Sequence, residues 1–392
     1  MTDKKFDIVV YGATGFTGRL VAQYLNARYG NGTEVTWAMG ARSLEKLQAV
    51  RDQLELPADT PLVVADSNDT ASMQAMVDST KVVITTVGPY QIYGSELVGL
   101  CANSGTDYVD LCGESVWMRH MIDAHEAAAK KSGARIVFSC GFDSIPSDLG
   151  IYRLQQLAIE KTGSACKHIS GRVRSLKGTF SGGTAASLTE SVKAAKGDPE
   201  IFKLAINPYS LVPGFEGVKQ PNGEKVNYSD ELKSWVAPFV MAAINTRNVH
   251  RSNALLGYAY GEDFTYDEMM LTGDGEKGEA IANQVATTNP MAGPDAPKPG
   301  EGPSKEERES GFYDIMYIGD TVDGGKMVLS VKGDRDPGYG STSKMISESA
   351  ICLFKDASDT AGGIWTTAPA LGEKLIKRLE DNAGLSFVLE SA

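Results

Sequence analysis

The sequence predicts a doubly wound parallel α/β sheet followed by a second domain of α+β type. Three observations carry that prediction. An apolar run near the N-terminus ends in three glycines spaced G-x-x-G-x-x-G and passes straight into an amphipathic segment. Short apolar strands then alternate with helical stretches as far as Cys140. At 392 residues, the chain exceeds what one ordinary hydrophobic core holds.

The first strand covers residues 6–11 and delivers the backbone to Gly12-Ala13-Thr14-Gly15-Phe16-Thr17-Gly18. Gly12 makes the turn, Gly15 leaves room for a ligand to approach, and Gly18 lets helix and strand pack closely. Leu20, Val21, Tyr24 and Leu25 fall on one helical face. Backbone N–H groups at that helix start suit a diphosphate. A tight turn with no ligand is the plainer alternative, and the strand, the helix and the N-terminal position argue against it. All seven residues from Gly12 to Gly18 are therefore candidate contacts of a dinucleotide, and this half reads as a Rossmann domain.

Residues 35–40 form the second strand, after which Ser43 caps a helix carrying Leu44, Leu47, Val50 and Leu54. The third strand covers 62–66, and a helix with Met73, Met76 and Val77 follows its polar turn. Residues 81–87 give the fourth strand and 108–111 a short fifth. Ser115 caps a helix that Gly133 ends, and 135–140 is the sixth strand. Six apolar strands separated by helices make a parallel sheet covered on both faces.

The pattern then changes. Ser147 and Asp148 open a helix that runs to around Leu157, and 168–179 is a longer strand with partial alternation. Residues 184–196 are helical, and Asp198-Pro199 reads as an N-cap followed by a proline at the first helical position. Turns between short strands are expected over 212–229, and 235–256 is the most apolar stretch of this half. Residues 287–304 form a long proline-rich loop of the kind that serves as lid, binding loop or disordered segment. Strands return at 311–317 and 326–333, and helices at 343–354 and 369–379 close the chain. The expected domains are residues 1–146 for the nucleotide and 147–340 for substrate or oligomerisation. The C-terminal helices of 341–392 pack back on the first.

The end of the second strand selects the cofactor. A carboxylate there would accept from ribose hydroxyls, whereas Gly40-Ala41-Arg42-Ser43 has none before Glu45. Arg42 suits a 2′-phosphate through charge-assisted bonds, with help from Ser43 and Lys46, so NADP(H) is expected over NAD. The alternative for Arg42 is a solvated surface charge. Asp66 either bonds the adenine amino group or caps the next helix. Val87, Gly88 and Pro89 leave the fourth strand where the nicotinamide ribose would lie. Tyr90 and Tyr93 follow as candidate proton donors, with buried wall as the alternative for each.

Lys and Arg total 38 against 50 Asp and Glu, a net charge of −12 that disfavours nucleic acid and anionic membrane as partners. No apolar run reaches membrane-spanning length, and no signal-peptide core is visible, so a cytoplasmic protein is expected. Peripheral lipid contact through a local patch stays open, as does a homodimer. Five scattered cysteines and four histidines lack metal-ligand spacing, so neither a disulfide frame nor a metal is expected.

Taken together, Tyr11-Gly12-Ala13-Thr14-Gly15-Phe16-Thr17-Gly18-Arg19, Val87-Gly88-Pro89-Tyr90, Tyr108-Val109-Asp110-Leu111-Cys112-Gly113-Glu114 and Cys140-Gly141-Phe142-Asp143-Ser144-Ile145-Pro146-Ser147-Asp148 resemble the saccharopine dehydrogenase-like oxidoreductases. The nearest branch is the trans-acting enoyl reductases. The resemblance extends through Ser181-Gly182-Gly183-Thr184, Asn245-Thr246-Arg247, Arg251-Ser252-Asn253 and Gly333-Asp334-Arg335-Asp336-Pro337-Gly338-Tyr339. It implies an NADP-binding Rossmann domain, a second α+β domain, and reduction of a carbon–carbon double bond in lipid or polyketide-like chains, on a small-molecule or carrier-bound acyl substrate. It supplies no catalytic residues.

Those come from the residues themselves. Asp143 and Ser144 leave the sixth strand at the ligand edge of the sheet, where they could orient a nicotinamide amide or a substrate carbonyl. Ser181 and Gly182 precede a helix whose N–H groups suit a carbonyl oxygen or phosphate, with a plain helix start as the alternative. Arg247 and Arg251 share a helical face and suit an acidic head group, while Met241 lines an apolar channel. The alternative is a core helix with solvated arginines. Two other functions compete: an imine or amino-acid dehydrogenase, which requires convergent charges in the pocket, and an NADP-binding regulator without turnover.

Overall fold

The apolar run over Phe6–Tyr11 forms β1, and its Ile8, Val9 and Val10 are fully buried. The computed structural model describes residues 4–30, 32, 34–288, 298 and 300–392. The proline-rich loop expected over 287–304 lies mostly outside them.

After β1 come α1 (Phe16–Tyr29), β2 (Trp37–Ala41), α2 (Leu44–Gln53), β3 (Leu62–Val64), α3 (Thr70–Ser79) and β4 (Thr80–Thr85). Then follow α4 (Tyr90–Tyr93), α5 (Ser95–Ser104), β5 (Asp107–Val109), α6 (Ser115–Ser132) and β6 (Arg135–Val137). Ser43 caps α2 by accepting from Lys46 N, and Gly133 ends α6 in the left-handed conformation. The long α7 (Ile145–Thr162) begins two residues before Ser147, which therefore sits inside its first turn instead of capping it. Asp148, also expected as a cap for this helix, accepts from Ser252 Oγ, Thr367 Oγ1 and Ala368 N.

The second half contains β7 (His168–Lys177), α8 (Gly182–Gly197), α9 (Pro199–Ile206), β8 (Asn227–Ser229), β9 (Ser234–Pro238) and α10 (Ala242–Leu255). It continues through β10 (Thr265–Gly273), α11 (Gly275–Thr287), α12 (Lys305–Ser310), β11 (Phe312–Asp320) and β12 (Lys326–Gly333). The chain closes with α13 (Thr342–Lys355), β13 (Gly363–Trp365), α14 (Thr367–Arg378) and β14 (Leu385–Ser391).

Two seven-stranded sheets result. The first has the order β13-β6-β5-β4-β1-β2-β3 and every described pairing in it is parallel. Order reverses beside β1, which places a ligand crevice at the carboxyl ends of β1 and β4. Six of its strands were expected. The seventh, β13, comes from the C-terminal segment and pairs with β6 through only three residues, too short a run to carry a periodic signal. The second sheet has the order β14-β12-β11-β7-β10-β9-β8, antiparallel except where β10 runs parallel to β7.

One apolar cluster joins the halves, from Ile8 and Val10 through Leu149 and Leu154 of α7 to Tyr317 and Leu329 of the second sheet. The crossing is close at Gly150, where a Cβ would stand 2.7 Å from the Tyr317 ring. Across the other side, α13 packs on α1. Glu348 there is fully buried and accepts from Tyr24 Oη at 2.7 Å, Tyr29 Oη at 2.5 Å and Arg378 Nη1 at 3.2 Å.

Candidate active site

The β1–α1 turn is shaped for an anion. Gly12 adopts φ +90°, and a Cβ there would fall 2.7 Å from Thr86 Oγ1. A Cβ on Gly18 would collide with the Gly12 carbonyl. Gly15 is exposed at the N-cap of α1, which has no side-chain cap bond and no acidic residue in its first turn. No carboxylate of the helix's own first turn therefore competes for its N-terminal N–H groups and the positive end of its dipole. Ala13 is buried, and Thr14 and Thr17 are half-buried beside the turn, which Arg19 stiffens by donating from Nε to Thr14 O at 3.1 Å. Phe16 meets the Tyr339 ring edge-on at 5.2 Å, the Arg308 guanidinium lies over it, and Gly302 passes against it. This cradle fits a dinucleotide diphosphate.

Arg42 stands exposed just beyond β2. Burial pushes the Tyr11 phenol up; nearby Asp66 adds to the shift and Arg42 offsets it, so both charges flank the same edge. The Ser43 oxygen accepts the helix-cap bond, which leaves its hydroxyl proton free to donate. Asp66 folds its carboxylate onto Asn68 N at 3.0 Å, and the cap of α3 is Asp69. Of the two roles expected for Asp66, helix capping is thus filled by another residue.

Beyond β4, Val87 is half-buried and Gly88 is exposed, facing Ser187 of α8, and Pro89 starts α4. Glu114 anchors that loop. Its carboxylate accepts from Tyr90 N at 2.8 Å and Gln91 N at 2.9 Å. Tyr90, expected as a proton donor, is corrected to wall. Its ring is buried against Trp117, and its hydroxyl accepts from Leu111 N at 3.1 Å and points to Thr85 O. Burial, with Asp110 adding to it, pushes that phenol far up. Tyr93 is 42% exposed, with its ring at the surface.

Past β6 the polar groups converge. Ser144 is buried and accepts from Asn248 Nδ2 at 2.7 Å. Asp143 Oδ1 is shielded from solvent and has no hydrogen-bond partner. Burial first, then the charge of Glu268, pushes the Asp143 carboxyl up to about 7. One turn before Asn248 on α10, Asn245 donates to Glu268 Oε2 at 2.8 Å, and Tyr266 donates to Glu268 Oε1. Asn245 Oδ1 and Asn248 Oδ1 are buried without donors, so a donor-bearing ligand has acceptors waiting here.

Three of these residues escaped the sequence reading. Asn245 and Asn248 stand at i, i+3, a spacing that puts two carboxamides on one helical face. Glu268 shares the buried face of β10 with Tyr266, and a carboxylate in phase with an apolar strand face was the signal.

The predicted substrate contacts fare differently. Arg247 is corrected: it is 7% exposed, and its guanidinium donates to the carbonyls of Asn207, Ala243 and Ala205. Arg251 is likewise buried, donating to Leu211 O and Ile364 O with Glu126 3.7 Å away. Neither is solvated or free for an acidic head group. Ser181 N donates to Tyr339 Oη and Gly182 N to Glu301 O, so protein acceptors already hold those two N–H groups. Met241 is half-buried at the N-cap of α10, against the core. All five cysteines are free and buried, and burial pushes the Cys140 thiol up.

Residues 8–137 match the family described as saccharopine dehydrogenase NADP binding domain. A Mycobacterium tuberculosis protein with the provisional name trans-acting enoyl reductase is 41% identical, over 98% of this chain and 98% of its own. A trans-acting enoyl reductase of Mycobacterium ulcerans is 37% identical over 96% of each. Among solved structures, apo saccharopine dehydrogenase (L-Glu forming) from Saccharomyces cerevisiae has a TM-score of 0.54 at 12% identity, covering 98% of this chain and 100% of that one. Homospermidine synthase of Legionella pneumophila, solved with NAD, has a TM-score of 0.55 at 9% identity, covering 99% and 93%. At such identities these two likenesses speak for the fold alone.

Proposed function

The chain belongs to the trans-acting enoyl reductases, on a saccharopine dehydrogenase-like NADP-binding domain, and from that premise we propose that it reduces the carbon–carbon double bond of an enoyl acyl substrate with NADPH. The near-full-length likeness carries this reading. A likeness confined to the nucleotide half would say little about substrate, whereas this one runs through the second domain, where substrate is chosen. The word "trans-acting" in the relatives' names supports an acyl group brought on a carrier.

NADPH, when bound, supplies the hydride. The chain supplies position and charge. Gly12 to Gly18 hold the diphosphate, Arg42 with Ser43 takes the 2′-phosphate, and Asp66 stands at the adenine side. Val87, Gly88 and Pro89 border the nicotinamide ribose. Asp143 is the acid group at that edge, and Ser144 with Asn248 orients the segment that carries it. An amino-acid substrate would need free cations for its carboxylate, and the two arginines nearest this cluster in sequence are held by backbone carbonyls.

The test is NADPH oxidation with 2-enoyl thioesters beside imino acids. Turnover of the thioesters alone is expected. Turnover of imino acids alone, or tight NADPH binding with no turnover of either class, overturns the reading. Arg42→Ala is expected to cut the preference for NADPH over NADH at least tenfold, about 1.4 kcal/mol for a lost charge-assisted contact. A preference unchanged by that substitution removes Arg42 from the cofactor site.

A further inference from the structure

Phe16 belongs to both halves of the molecule. It is the first residue of α1, and the bond from Arg19 N to Gly15 O opens that helix. The N–H groups of Phe16, Thr17 and Gly18 therefore have no acceptor within the helix and belong to the anion cradle. The ring of the same residue meets the second domain. Tyr339 touches it edge-on, with centroids 5.2 Å apart, and the Arg308 guanidinium lies 5.6 Å from its centroid. Gly302 passes so close that a Cβ there would stand 2.6 Å from the ring.

Arg308 is held in place without being neutralised. It stands half-buried on α12, and its Nη1 donates to Pro303 O at 2.5 Å. Its own carbonyl accepts from Asp336 N at 3.0 Å, which ties α12 to the segment that carries Tyr339. The acids around it are turned to other donors. Asp336 feels the Arg308 charge, but its carboxylate accepts from Tyr339 N at 3.0 Å and Gly340 N at 2.7 Å. Glu307 accepts from Ser304 N, Glu301 from Lys298 N, and Glu309 faces Lys305. An arginine has five N–H donors, and lying over a ring leaves it both its charge and its in-plane fork.

We propose that Arg308 binds the diphosphate of the coenzyme: stacked on Phe16, it supplies a cation from the second domain to the anion held at the start of α1. This rests on the cofactor site described above. One residue, Phe16, gives its backbone N–H to the cradle and its ring to the arginine, so the cation stands beside the cradle. A guanidinium fork matches two phosphate oxygens, and a dianion there supplies the counter-charge that the protein does not. Arg308 and Arg42 then divide the work. Arg42 meets a group that only NADP(H) carries, whereas the diphosphate is common to both nicotinamide coenzymes. Arg308 thus adds affinity without discrimination, and the coenzyme joins the two domains.

The test reads binding, not turnover. Dissociation constants for NADPH and NADH are measured by fluorescence on the full chain. Arg308→Gln keeps a donor for Pro303 O and drops the charge, and it is expected to weaken both coenzymes by about tenfold or more. The preference for NADPH should survive, and the salt dependence of binding should flatten. Arg308→Lys should recover part of the loss. Unchanged binding overturns the proposal, and so does a loss confined to NADPH, which would put Arg308 at the 2′-phosphate. An unchanged coenzyme affinity with a raised KM for enoyl thioester assigns it to substrate and overturns the proposal as well. A second measurement uses the wild type alone. Phenylglyoxal is expected to modify Arg308 in the free protein, and either coenzyme at saturation is expected to protect it, read by mass spectrometry. Equal modification with and without coenzyme overturns the contact, whether or not Arg308→Gln folds. A wild type that binds neither coenzyme overturns the cofactor site itself, while one that binds both, with Arg308→Gln indifferent, overturns the clamp alone.

Discussion

Gly18 shows how much one hydrogen atom decides. A methyl group there would collide with the Gly12 carbonyl, backbone that cannot move without opening the anion cradle. Gly18→Ala is therefore expected to lower the melting temperature and to weaken NADPH binding at least tenfold, read by differential scanning calorimetry and cofactor fluorescence. Asp143 makes the opposite trade. Its carboxyl lies near 7 and that of Asp148 near 6, both raised by burial. A carboxyl raised in the folded state favours folding while protonated, and that contribution is lost as pH climbs through the raised value. Stability should thus decline between about pH 4, the ordinary aspartate value, and about pH 7. Asp143→Asn removes an ionisable group that has no partner at Oδ1, so it should flatten that decline and stabilise the protein at the alkaline end by about 1–2 kcal/mol. Melting curves across pH check the slope, and a protein made more stable and less active would mark Asp143 as a functional group and not a structural one.

At the scale of elements, the cleanest joint is the one between α1 and α13. Tyr24 and Tyr29 of α1, Arg378 of α14 and Asn382 after it all donate to the buried Glu348, and removing it leaves Arg378 paired with Asp356. Glu348→Ala is expected to cost about 3 kcal/mol in denaturant unfolding. A Tyr29→Phe, Glu348→Gln cycle should show coupling of about 1 kcal/mol; strict additivity would deny the contact. Elements were legible in proportion to their periodicity. α1, α2, α9 and β12 announced themselves through an apolar face, a cap or a flanking turn. β10 did not, because Asp267 and Glu268 interrupt its apolar pattern; Asp267 pairs with Arg172, and Glu268 is held by Asn245 of α10 and by Tyr266 of its own strand. β14 leaves Val388 and Leu389 exposed and so lacks the alternation that marks a strand.

Across the whole molecule, the last segment closes the first domain. β13 adds the edge strand beside β6, α14 receives Asp148 at its start, and Arg251 joins α10 to the Leu211 and Ile364 carbonyls. A chain ended after Lys355 would bare the β6 edge, take Thr367 and Ala368 from the buried Asp148, and take Ile364 O from the buried Arg251. It is expected to aggregate or remain unfolded by circular dichroism and gel filtration, and a soluble, NADPH-binding truncation would refute that dependence. No helix among the described residues is long and apolar enough to cross a membrane.

By itself the sequence determined the doubly wound sheet and the glycine turn that opens it, because each is written in neighbouring residues by strand and helix period or by backbone sterics. Only the tertiary structure decided the fates of the polar side chains. It turned Arg247 and Tyr90 inward onto backbone groups, and it brought Asn248 of α10 onto Ser144, residues far apart in the chain. Whether a buried polar atom finds a partner depends on elements distant in sequence, and no local pattern encodes that.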